Sequence, residues 1–273
     1  MRVVFGNWKY IFKNLWFVLP FVLVPAVFFA LSIDQTAIKE LAQAFFTGEP
    51  QVHFFLLFRV WSVIRVDHWM GAVLGVGAVA TTVIFATVML SLVEKHMRIG
   101  KRTFSGAFSQ LGNFALIALL VAVVYLALYE LWALVISAVL FLITALNHLV
   151  VVYLLYVLAF LIALFVLFYV ATIFFLWLPC MQITGFRPYD AFLYAYRLMI
   201  RVRRKLIAAF ALSFFVGAAV LCGAAFLPVY VFLPIAFVVC VFLLLGFCIR
   251  METVYFYTDK LDREDLIRSY REL

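Results

Sequence analysis

Between Phe114 and Pro179 the chain runs for 66 residues with one formal charge, Glu130. A water-facing helix or sheet needs a polar face, and a stretch this apolar has none to offer. A hydrocarbon core about 30 Å thick takes about 20 apolar helical residues per crossing. The stretch therefore holds two crossings whose ends protrude beyond the bilayer, because four would leave no residues for turns. The same criterion places the spans at 15–33, 69–92, 114–135, 150–178, 206–226 and 232–249. The expected fold class is all-α: a polytopic transmembrane helical bundle of about six spans in three hairpins. It forms a single integral membrane domain with a short tail at 250–273. Hydrophobic residues make up 69% of the 273 and charged residues 12%, which leaves little for a soluble domain.

The first apolar segment is long, carries Pro20 and Pro25, and has no A-x-A cleavage pattern after it. It reads as a retained helix rather than a signal peptide. Of the 21 Lys and Arg, only Lys39, Arg59 and Arg65 fall in segments on one side of this topology. The other eighteen lie in the N-terminus, the second and fourth connections and the tail. Cytoplasmic loops carry such an excess, so both termini are expected inside, an arrangement that suits a bacterial inner membrane. The net charge of +8 sits in clusters between apolar spans. That favours membrane lipid, anionic phospholipid in particular, over nucleic acid as the partner.

The lead-in to the third span begins GKRTF at Gly100, Arg102 and Phe104; that to the fifth begins GFRPYDAF at Gly185, Arg187 and Tyr189. Both read Gly-x-Arg-x-aromatic, and the first span's FGNWKYIFKNLWFVL is a looser version. Each hairpin is thus introduced by an amphipathic basic segment. From Tyr189 to Arg204, an apolar face of Tyr189, Phe192, Leu193, Tyr196, Met199 and Ile200 separates from Arg197, Arg201 and Arg204, as in a helix lying in the membrane interface. Arg102, Arg187, Arg197, Arg201, Arg204 and Lys205 are the candidate headgroup or anchor residues. Arginine suits the role through its planar, phosphate-matching fork. Topological anchoring is the simpler function for them and a phosphate-headgroup pocket the sharper one.

These lead-ins, and hairpins preceded by amphipathic helices, resemble those of a loosely defined group of bacterial six-helix membrane proteins. That group is related to the membrane domain of some glycerophosphodiester phosphodiesterases. The resemblance implies an envelope or lipid-related accessory role. The soluble phosphodiesterase domain has no counterpart in these residues, so its activity is not implied.

Glu130, in LALYELWALVI, is the intramembrane polar candidate. A carboxylate deep in lipid marks a proton or substrate path. Yet Tyr129 and Trp132 favour an interface, and about 24 Å of helix after Phe114 brings the residue near the outer boundary. Both readings stand at this level, and under the interfacial one Glu130→Gln leaves function and folding intact. His53, Asp67, His68 and His148 share its side but lack metal-site spacing, so no metal is expected. The cysteines, Cys180, Cys222, Cys240 and Cys248, have no CxxC spacing and read as packing residues.

The segment from Asp34 to Asp67 is apolar for an outer loop and is expected to fold onto the membrane or cap the bundle. Gly71 and Gly75 in the second span, with Gly217 and Gly223 in the fifth, are the helix-packing candidates, which makes those two spans the expected packed centre. The tail reads as a separate short helix capped near Asp259. No nucleotide-binding, nucleophile-elbow or kinase motif occurs, and neither cofactor nor catalytic residue is expected. The leading expectation is a non-enzymatic integral membrane protein acting through lipid contact, or as an accessory subunit with a membrane-protein partner or a second copy. A small transporter component using Glu130 is the alternative, and an intramembrane lipid-modifying enzyme the third.

Overall fold

In the computed structural model, which describes residues 2–47, 52–65, 68–100, 107–146 and 149–272, twelve helices follow one another. They are α1 (Arg2–Lys13), α2 (Leu15–Val18), α3 (Pro20–Ser32), α4 (Gln35–Thr47), α5 (Phe54–Trp61), α6 (Trp69–Ile99), α7 (Ala107–Thr144), α8 (Leu149–Phe174), α9 (Trp177–Thr184), α10 (Pro188–Ile200), α11 (Arg203–Ala224) and α12 (Val229–Glu272). Among the described residues there is no strand. Five stretches are long and apolar enough to cross a membrane: α6, α7, α8 with α9, α11 and α12. The bent α3–α4 pair passes the same test only when its two helices are taken together. We read the sixth crossing as α2 and α3, since α4 turns away by 52° and exposes Lys39 and Glu40.

Prolines set the breaks. Pro20 opens α3, where a missing N–H costs nothing. Pro179 is third in α9 and has no N–H for the carbonyl of Phe175, so the α8–α9 helix breaks at Phe175 and Leu176. Gly100 and Gly185, the glycines of the two matching lead-ins, close α6 and α9 in the left-handed conformation with φ of 75° and 68°. Their N–H groups bond back to the carbonyls of His96 and Met181. The repeat is thus a pair of equivalent helix stops, for which glycine pays no steric penalty.

α7 and α12 have 38 and 44 residues, about 57 and 66 Å at 1.5 Å per residue. Both overrun a bilayer. The α7–α8 end carries the outer segment: Leu57 of α5, with Leu41 and Phe45 of α4, packs on Ile136, Leu140 and Tyr156. The segment therefore caps the protruding hairpin. α12 continues unbroken through the tail, which is not a separate helix, and Asp259 lies within it rather than at a cap.

The largest core joins α1, α2, α3, α6, α7, α8, α9, α10, the start of α11 and the middle of α12. α6 and α12 are the most buried long helices. This corrects the expected pairing of the second and fifth spans, because α11 turns Leu212, Val216 and Val220 outward. A Cβ on Gly217 would touch Leu243 of α12 at 3.1 Å, and Gly223 has nothing within 4 Å. Gly71 and Gly75 make room for a loop, described next.

Candidate functional site

At the end of the bundle that carries α4 and α5, residues 62–65 form an irregular stretch between α5 and α6. Its backbone lies against α6: a Cβ on Gly75 would overlap the Val63 carbonyl, and one on Gly71 would meet the Arg65 side chain at 2.5 Å. On the other side stands Glu130 of α7. Its Oε1 accepts the N–H groups of Val63 and Ile64 at 2.9 and 3.0 Å, and its Oε2 the Ser62 hydroxyl at 2.6 Å. Gly75 sits about 9 Å along α6 from Trp69, where non-helical backbone is tolerated only if protein satisfies it. Glu130 does so, and its carboxylate is spent on holding the loop.

The neighbouring charges are also engaged. Asp34 caps α4, accepting the Ala37 N–H at 3.1 Å and the Thr36 hydroxyl at 2.6 Å on Oδ1. Its Oδ2 takes Arg59 at 2.6 Å and Arg65 at 3.3 Å. Burial pushes the Asp34 carboxyl up, but these hydrogen bonds and the Arg65 charge outweigh it and hold the group below its usual range. His53 and His68 are exposed at the starts of α5 and α6, while Asp67 and His148 lie outside the described residues. Among the described residues, no three His, Cys, Asp or Glu side chains gather to hold a metal ion.

The opposite end gathers the termini and most of the basic residues. Asn7 of α1 donates to the Gly246 carbonyl of α12 at 3.1 Å, Tyr10 meets His96 at 2.8 Å, and Trp177 donates to the Pro188 carbonyl at 2.8 Å. α10 has three faces. Ala191, Ala195, Leu198 and Met199 are buried; Tyr189, Leu193, Tyr196 and Ile200 are exposed; Arg197 and Arg201 occupy a third strip beside the exposed apolar one.

The basic candidates divide. Arg197 and Arg201 reach Asp262 Oδ1 of α12 at 3.3 and 3.8 Å, and Tyr194 donates to Asp259 at 3.0 Å. The arginines expected to face lipid thus also dock α10 on the extended α12. Arg204 and Lys205 are exposed, as is Arg187 at the start of α10. Arg102 lies outside the described residues. Arg203, which sequence reasoning passed over, stacks on Tyr169 and Tyr196 with its Cζ 4.9 and 5.2 Å from the ring centroids.

Sequence reasoning also missed Glu252. It is fully buried in α12, and neither carboxylate oxygen has a hydrogen-bond partner. Glu94 and Arg98 of α6, joined at 2.7 Å, lie within electrostatic reach. The sequence signal was a glutamate three residues past a long apolar run, hidden by its position among tail charges. No protein family, curated protein or solved structure matches the chain.

Proposed function

We propose that this protein is a non-enzymatic membrane protein that acts through contact with anionic phospholipid at its basic end, in a bacterial cytoplasmic membrane. The observation that carries this reading is α10. Its outward face is apolar and aromatic, with Tyr189 71% exposed, and it borders a basic strip that continues into Arg204 and Lys205. A helix so divided lies with its apolar face at the acyl boundary and its arginines among headgroups. The resemblance of the lead-ins to those of lipid-related envelope proteins points the same way. An accessory role, in which lipid contact positions the protein beside a membrane-protein partner, is compatible with it. Transport through Glu130 is not favoured, because its carboxylate is occupied by three donors.

The test is extraction with native lipid in polymer discs, followed by mass spectrometry of the lipids and proteins that co-purify. Anionic phospholipid enriched over bulk, and returned toward bulk when Arg204 and Lys205 are replaced by Gln, supports the reading. Bulk composition in both samples removes it, and a stoichiometric protein partner without lipid enrichment makes the protein an accessory subunit instead.

A further inference from the structure

Glu252 is 0% exposed, and no donor reaches either of its oxygens. An ionised carboxylate so placed costs several kcal/mol unless it is paired and hydrogen-bonded. The opposite charge that acts on it is Arg98, whose guanidinium is already 2.7 Å from Glu94 Oε1. The Glu94 charge is met by Arg98 and Lys95, whereas nothing donates to Glu252, so its carboxylate has no hydrogen-bonded partner unless a proton neutralises it. Among the described residues no side chain of another element donates to Glu252: α9 brings Cys180, α10 brings Tyr194 through Asp259, and α1 brings Asn7. α3 carries no titratable side chain. Lys95 beside Glu94 acts on Glu94, and Arg250 on α12 lies two residues from Glu252, facing away from it. The basic first turn of α11 is engaged through Arg203 with Tyr169 and Tyr196.

We propose that Glu252 is a proton-binding site near the basic end of the bundle, its carboxyl neutral while the proton is bound and its charge faced by Arg98 once the proton has left. On uptake, a hydronium ion at the surface gives up its proton, an O–H bond forms at a Glu252 oxygen, water is released, and Arg98 stays with Glu94. Release reverses the transfer, and Arg98 then serves both carboxylates. Arg98 is 57% exposed and so has room to shift. Glu252, Tyr255, Asp259 and Asp262 recur at helical spacing on one face of α12, a polar series that ends at the pair with Arg197, itself 63% exposed. The proton is the cation the site takes, since among the described residues no metal-type cluster exists. The proposal does not depend on the lipid reading.

Infrared spectroscopy of the purified full-length protein in lipid discs, titrated in ordinary and heavy water, reads protonated carboxyls directly. The wild type is expected to show at neutral pH a carboxylic-acid stretch that shifts in heavy water, and Glu252→Gln to lose it completely. In Glu94→Gln the freed Arg98 turns to Glu252, and the titration midpoint moves to lower pH. Absence of the band in the wild type at neutral pH overturns the proposal, as does its persistence in Glu252→Gln. If Glu252→Gln fails to fold, an unmoved midpoint in Glu94→Gln overturns it equally.

Discussion

The Glu130 carboxylate and the Ser62 hydroxyl, 68 residues apart in the chain, meet at 2.6 Å, and the same carboxylate holds the next two backbone N–H groups. A glutamine at 130 keeps the size but puts an amide donor where an acceptor is needed. Glu130→Gln is therefore expected to destabilise the protein by about 1–3 kcal/mol, the cost of leaving such groups unsatisfied. Ser62→Ala, which removes one donor, is expected to cost about 1 kcal/mol. Thermal unfolding in detergent measures both, and a Glu130→Gln midpoint equal to wild type would show that the loop does not depend on this carboxylate.

Two glycines separate the loop's demands from ordinary helix packing. A methyl group on Gly75 would run into the Val63 backbone, whereas one on Gly223 meets nothing within 4 Å. Gly75→Ala is expected to lower the unfolding midpoint, with an effect that does not add to that of Glu130→Gln, since both displace the same loop. Gly223→Ala is expected to hold or raise it, alanine being favoured over glycine in a helix by about 1 kcal/mol.

The apolar runs made the fold class legible, because lipid solvent forces helices and fixes their length. The two matching lead-ins were legible as well, down to the glycines that stop α6 and α9. The neighbours of each glycine were not. Gly71 and Gly75 have the spacing of a helix contact but receive residues 62–65, and no local pattern tells a packed helix from a packed loop. Glu130 stood out as the one charge in 66 residues, yet its three donors come from a stretch more than 60 residues earlier. Glu252 was obscured for the opposite reason: charged residues follow it closely in sequence, so only the overrun of α12 into the core revealed its burial.

The Asp34 cluster makes stability at the capped end depend on pH. The folded carboxyl titrates below its ordinary value of about 3.9, so its contribution is fully present above that value and is lost as pH falls through the folded one. Asp34→Asn is expected to lower the unfolding midpoint most at neutral pH, and the difference from wild type is expected to shrink as the solution is acidified. A difference constant from neutral to strongly acid pH would show that Arg59 and Arg65 do not depend on the Asp34 charge.

Asp262 ties the two roles of the α10 arginines together. One of its oxygens serves both Arg197 and Arg201, whose side chains are exposed although Asp262 is buried, and pairs open to water on the guanidinium side contribute about 1 kcal/mol. Asp262→Asn is therefore expected to leave the unfolding midpoint nearly unchanged while releasing α10 from the extended α12. Faster amide hydrogen exchange in residues 188–200 reports that release. The freed guanidiniums are then available to phosphate, so anionic phospholipid retained in polymer discs is expected to increase relative to wild type. Unchanged exchange would show that Tyr194 and Asp259, with the buried face of α10, suffice to hold the helix. Faster exchange without added lipid would restrict these arginines to the intramolecular contact and leave headgroup binding to Arg204 and Lys205.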